Sequence, residues 1–141
     1  MYRISKEFVL DASHQLPRHE GKCANVHGHT YTIIVSLQST TLLDDESNEG
    51  FVLDFGDLKQ IMAPIISAMD HAFIAAGDEP IVTDLEKHGS KIYLLGKRST
   101  AENIAHHIFH LISEKLPHKG AVEVSGIEVW ETPKSKAAYL R

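Results

Sequence analysis

The chain has one cysteine in 141 residues, so no disulfide can close within it and no cysteine-rich metal scaffold can form. A lone thiol fits a reducing compartment, and a cytoplasmic location is expected. No apolar run approaches the length that spans a bilayer. The opening Met1-Tyr2-Arg3-Ile4-Ser5-Lys6-Glu7 lacks a signal-peptide core, so no membrane association is expected. Positive charge is scarce: 14 Lys and Arg stand against 19 Asp and Glu, a formal net charge of −5. With no basic cluster, that balance argues against a nucleic-acid partner. Neither a glycine-rich dinucleotide fingerprint nor a phosphate-binding loop is present, which disfavours nucleotide-dependent dehydrogenases and kinases. Internal repeats, low-complexity tracts and linkers are also missing, so residues 1–141 read as a single domain. The apolar fraction, 43%, is that of an ordinary globular protein.

Histidine, by contrast, is abundant, with ten copies. His27 and His29 are two residues apart, with Cys23 four residues before the first. Residues i and i+2 of a strand share a face, so both imidazoles can reach one ion. Phe8, Leu10, Ala12 and His14 fall on one face of an alternating run. His29, Tyr31, Ile33, Val35 and Leu37 share a face of the next. Antiparallel pairing of the two runs brings His14 to His27 and His29. Three neutral imidazoles with a fourth position open form the pattern of a catalytic zinc site. The bland reading is three solvent-facing strand histidines. Cys23, beside a dication that would lower its pKa, is the group to move protons or attack. The alternative for Cys23 is an inert buried thiol.

Asp70-His71 places a carboxylate beside an imidazole, which can fix its tautomer and raise its basicity, or else simply end a helix. Glu131 closes a row begun by Ile127 and Val129, and on residues alone it reads as a surface carboxylate. His106 and His110 have i, i+4 spacing but no acidic third ligand, so with His107 they are expected on the solvated face of a helix. His19, His88 and His118 have no distinguishing context.

The pattern predicts strands over Tyr2–Ser13 and His27–Gln38, joined by an irregular loop, then an exposed polar connection from Thr40 to Gly50. Phe51-Val52-Leu53 reads as a third strand. Leu58, Ile61, Met62, Ile65, Ile66 and Met69 recur at helical spacing, with Asp57 as N-cap and a kink or break expected at Pro64. Asp84–Lys87 reads as a short helical piece and Ile92–Leu95 as a strand. A second long helix starts at Ser99-Thr100-Ala101-Glu102, with Ser99 the preferred cap over Thr100. It buries Ile104, Ile108, Leu111, Ile112 and Leu116 and stops at Pro117. Val122–Thr132 is the last strand. The fold class is α+β, with two helices on one face of a small antiparallel sheet whose open edges favour closure through an oligomer.

Several blocks together resemble the superfamily of 6-pyruvoyl-tetrahydropterin and 6-carboxy-tetrahydropterin synthases. They are Phe8-x-x-x-Ala12-Ser13-His14, Cys23-x-x-x-His27-Gly28-His29-x-Tyr31, Val52-x-Asp54-Phe55-x-x-Leu58-Lys59, Asp70-His71, Thr100-Ala101-Glu102-Asn103 and Glu131-Thr132. They stand in the family's order and cover nearly the whole chain. The resemblance implies the tunnelling fold (T-fold): a four-stranded antiparallel sheet and two helices per subunit, with barrels closed by trimers and two trimers stacked into a homohexamer with interfacial active sites. It implies Zn²⁺ on His14, His27 and His29, Cys23 as general base with Asp70 and His71 completing the proton-transfer set, and Glu131 pairing with the N–H edge of a pterin. Only three residues separate Cys23 from His27, which resembles the queuosine-pathway, 6-carboxy-forming branch. That branch implies a lyase acting on 7,8-dihydroneopterin triphosphate, with acetaldehyde and triphosphate released. Formation of a pyruvoyl product and a non-catalytic zinc- or pterin-binding assembly are the alternatives. Two departures from the family pattern are Arg98-Ser99, where a proline often stands, and Ala75-Ala76, where an Asn is common after Asp-His.

Overall fold

The computed structural model describes residues 1–141. Strand β1 (Tyr2–His14) pairs antiparallel with β2 (His27–Ser39) over their full length. The alternating runs dictate this register: Phe8 faces Ile33, Leu10 faces Tyr31, Ala12 faces His29 and His14 faces His27. One face of the ribbon is therefore apolar, with Leu10, Ala12, Tyr31, Ile33, Val35 and Leu37 all buried. Each large aliphatic side chain removed from water there stabilises the fold by roughly 1.5–3 kcal/mol.

The next elements are α1 (Phe55–Met69), β3 (Ala72–Ala75), α2 (Pro80–Lys87), β4 (Ile92–Leu94), α3 (Ala101–Lys115), β5 (Glu123–Thr132) and β6 (Ser135–Leu140). They complete a six-stranded sheet in the order β4-β3-β1-β2-β5-β6. The sheet is mixed. β3 runs parallel to β1 and β4 parallel to β3, whereas the other pairings are antiparallel. This corrects the four-stranded antiparallel expectation. β3 is four residues long and buried throughout, so it shows no alternation to read. β6, Ser-Lys-Ala-Ala-Tyr-Leu, is poor in β-branched residues and pairs with β5 after the Pro133-Lys134 turn.

Helices α1 and α3 lie on the apolar face, where Leu58, Met62, Ile65 and Met69 meet Ile104, Ala105, Ile108 and Ile112 in one core. The third helix, α2, packs elsewhere: Val82 joins Phe73 and Ala75 in a separate small cluster, while Ile74 points into the main core. Since successive side chains of β3 alternate, α2 covers the opposite face at that edge.

Four local expectations are corrected. Phe51-Val52-Leu53 forms no strand. Its backbone closes a loop, with Leu43 N–H donating to the Phe51 carbonyl, while Val52 and Leu53 both plug the core. Asp54, not Asp57, caps α1, its Oδ1 accepting from Gly56 N at 2.6 Å. A Cβ at Gly56 would lie 2.8 Å from that oxygen, so glycine lets the cap close. The helix then runs unbroken through Pro64. Thr100, not Ser99, caps α3, accepting from Asn103 N, and the carbonyl of Ser99 is used elsewhere. No helix is long and apolar enough to cross a membrane.

Candidate active site

Where β1 ends and β2 begins, the strand register brings three imidazoles together on the core-facing side. Ring centroids of His14, His27 and His29 lie 4.5–5.2 Å apart. Gly28, between the two β2 ligands, lies against β1: a Cβ there would be 3.1 Å from the Ala12 carbonyl oxygen. His14 Nδ1 donates to the Ser99 carbonyl at 2.7 Å, and His27 Nδ1 donates to the Asn25 carbonyl at 2.8 Å. A carbonyl only accepts, so both Nδ1 atoms carry the proton and both neutral rings present a bare lone pair at Nε2. Those two Nε2 atoms lie 3.0 Å apart. Two lone pairs at that distance repel unless a cation sits between them. His29 Nε2 is buried with no hydrogen-bond partner. Donor type, tautomer and the orphaned nitrogen all fit a divalent metal held by His14, His27 and His29. Burial, assisted by the neighbouring imidazoles and opposed by the Ser99 bond, pushes the His14 pKa down to about 4, so the ring is neutral at pH 7.

Cys23 sits on a single 3-10 turn, Lys22–Ala24, in the β1–β2 loop. The loop is pinned by Leu16 N–H donating to the Cys23 carbonyl and by Gln15 Nε2 donating to the Ala24 carbonyl. A cleft of about 370 Å³ brings His14, Cys23 and Glu131 onto one wall system, with Thr100 and Glu102 from the start of α3. Glu131 is half-buried there. Beneath the triad lies Tyr31, 1% exposed, edge-on to both His14 and His29. Its phenol is pushed above its usual range, first by burial and then by the charges of Glu131 and Cys23.

Asp70 and His71 lie elsewhere. Asp70 closes α1, and its Oδ1 accepts from Asp11 N at 2.8 Å while Oδ2 contacts His71 Nδ1 at 2.8 Å. These bonds, that from Asp11 foremost, hold the Asp70 carboxyl below the usual carboxylate range. The Asp11 carboxylate gathers with them. It alternates with Leu10, Ala12 and His14 and so points to the other face of the ribbon, and His71 opens onto a surface shared with Asp11, Ser13, Gly28, His29 and Thr30. Within one chain the thiol and the Asp-His pair therefore line different clefts.

The family model of 6-pyruvoyl tetrahydropterin synthase matches residues 3–141. The chain belongs to that family. Its relatives include 6-carboxy-5,6,7,8-tetrahydropterin synthases from Haemophilus influenzae, 42% identical and covering 99% of both chains, and from Rickettsia bellii, 34% identical over 94% of this chain and 96% of the relative. An uncharacterized protein of Wolinella succinogenes superposes with a TM-score of 0.85 at 25% identity, covering 99% of this chain and 98% of the other. The 6-pyruvoyl tetrahydropterin synthase of Caenorhabditis elegans gives 0.69 at 23% identity over 99% and 95%, a likeness of fold.

Family membership matches the T-fold expectation, now with six strands and three helices. Of the seven site residues expected from sequence, His14, His27, His29, Cys23 and Glu131 cluster, while Asp70 and His71 form their own pair. Sequence reasoning missed Tyr31 and Ser99 as neighbours of the triad. Tyr31 was visible as the next core-facing residue after His27 and His29; Ser99 contributes only a carbonyl, which no side-chain pattern reveals. Of the helical histidines, His110 is exposed as expected, whereas His107 is half-buried with its Nε2 2.6 Å from Tyr93 Oη, and His106 is half-buried and edge-on to Tyr139 of β6.

Proposed function

We propose that this chain is a zinc-dependent carbon–carbon lyase. It converts 7,8-dihydroneopterin triphosphate and one water to 6-carboxy-5,6,7,8-tetrahydropterin with release of acetaldehyde and triphosphate, in cytoplasmic queuosine (7-deazapurine) biosynthesis. The observation that carries the reading is the convergence of bare imidazole nitrogens beside one cleft that also holds the only thiol and a half-buried carboxylate. The relatives' names and the short Cys23–His27 spacing favour the 6-carboxy branch.

His14, His27 and His29 hold the zinc, which when bound supplies Lewis-acid acidification of the substrate's side-chain hydroxyls. Glu131 accepts from the 2-amino group and ring N–H of the pterin, fixing its orientation with two charge-assisted bonds. Cys23, as thiolate, takes a proton from the side chain carbon it faces. Tyr31, its own proton firmly held, packs edge-on against the His14 and His29 rings from the core side. His71, oriented by Asp70, returns protons to the departing fragment. His71 and Cys23 line different clefts within one chain, which supports drawing the Asp-His pair from a neighbouring subunit of a homohexamer, a dimer of trimers.

The test is mass-spectrometric product analysis after incubating zinc-loaded protein with 7,8-dihydroneopterin triphosphate. A 6-carboxy-tetrahydropterin with acetaldehyde is the expected pair. A 6-pyruvoyl product would assign triphosphate elimination without carbon–carbon cleavage, and no conversion with zinc bound would leave a binding assembly.

A further inference from the structure

The turn from β3 to α2 contains a buried charge that the chemistry above does not use. Glu79, 3% exposed with its side chain fully enclosed, accepts from Ala76 N at 2.9 Å through Oε1 and from Gly77 N at 2.8 Å through Oε2. Its cationic partner is Arg98. Nη1 of Arg98 lies 3.2 Å from Glu79 Oε1, close enough for charge pairing although off the hydrogen-bond line, and Nη2 donates to Asp78 Oδ2 at 2.7 Å. Removing a carboxylate from water is costly, and breaking such a pair leaves one ion uncompensated. The arrangement therefore holds Arg98 firmly against the β3–α2 turn.

Arg98 directly precedes Ser99, whose carbonyl receives the His14 Nδ1 proton. From the other side, Asn103 Nδ2 donates to the Arg98 carbonyl at 2.9 Å, and Thr100 caps the helix that begins there. The run Gly96-Lys97-Arg98-Ser99-Thr100 has no proline, so nothing covalent fixes its backbone. The Ser99 hydroxyl is buried without a partner, so the side chain does not anchor the residue either. What fixes the Ser99 carbonyl is the clamp on its neighbour.

We propose that Glu79 and Arg98 are positioning residues of the metal centre: their ion pair, enclosed at Glu79 and partly exposed at Arg98, aims the Ser99 carbonyl at His14 Nδ1, setting the tautomer and ring orientation that leave Nε2 free for the ion. The inference rests on the metal reading above for its consequence, but not for its geometry. Outer partners of metal-bound imidazoles typically govern affinity by 10–100-fold.

The test measures two things in Arg98→Met, Glu79→Gln and the charge-keeping Arg98→Lys, with folding checked by circular dichroism. The first is zinc affinity by competition with a chromogenic chelator. The second is the His14 tautomer in metal-free protein, read from long-range ¹H–¹⁵N couplings of the imidazole. Arg98→Met and Glu79→Gln are expected to weaken zinc at least tenfold and to lose the pure Nδ1–H tautomer, with Arg98→Lys restoring most of both. Folded variants with zinc affinity within twofold of the parent and an unchanged tautomer would overturn the proposal. If Arg98→Met fails to fold, Glu79→Gln and Arg98→Lys decide by the same two readouts. A parent chain that binds no zinc yet shows the tautomer change on substitution would sink the metal reading and leave the positioning role standing.

Discussion

Nδ1 of His71 lies 2.8 Å from Oδ2 of Asp70, although the two residues are consecutive. The contact is possible because His71 has a φ of 56°, which turns its side chain back over its neighbour. His71 N–H also donates to the Asp11 carbonyl at 2.6 Å, and Lys91 Nζ donates to the Asp70 carbonyl at 2.7 Å, so the turn is bound on both sides. A left-handed conformation costs an ordinary residue about 1–2 kcal/mol, and such strain is commonly retained where geometry serves a site.

Two substitutions at this position separate chemistry from conformation. Asn tolerates the left-handed region, so His71→Asn should keep the melting temperature within a few degrees while lowering kcat by roughly 10²–10⁴. The β-branched His71→Val should lose both. Thermal unfolding and steady-state kinetics on the pair check this, and a fully active His71→Asn would remove the imidazole from the mechanism.

Cys23 lies outside the imidazole cluster, on its own pinned turn. Cys23→Ala should therefore retain one zinc per chain by elemental analysis while turnover falls by roughly 10²–10⁴. Loss of zinc along with activity would make the thiol a ligand instead.

The fold carries a pH dependence of known sign. Burial lowers His14 to about 4 in the folded chain, whereas an unfolded chain takes up that proton near 6.5. Between those values the unfolded state binds more protons, so the metal-free protein loses stability as pH falls through that window, by ~3 kcal/mol at most from this residue. His106 and His107, both also lowered chiefly by burial, act in the same direction. Urea midpoints at pH 7, 5.5 and 4.5 should fall in that order, with a shallower fall in His14→Gln. Equal slopes for the two proteins would contradict the burial argument.

The long paired strands were legible because thirteen-residue alternation fixes both faces and register, and with it the meeting of His14 and His27. The apolar stripe of α1 was equally plain. The strand expected at Ile92–Leu95 is there as β4, but length hid β3, which spans four wholly buried residues, and no local pattern announces the parallel pairing of the two at the sheet edge. Phe51-Val52-Leu53 misled because burial of consecutive residues in a loop looks, in sequence, like a short central strand. At the site, residue types located the triad and the thiol. The face on which Asp70-His71 falls was not readable, because it depends on a parallel crossover after α1 and on one positive φ.

That separation makes subunit complementation the most direct measurement, since in the proposed hexamer a complete site combines Cys23 of one chain with His71 of another. Cys23→Ala and His71→Asn chains, each inactive alone, are mixed by co-expression, and hybrids are verified by native mass spectrometry. Random assembly should restore up to about a quarter of parental activity per site. Verified hybrids with no activity above either parent variant would contradict a site shared between subunits.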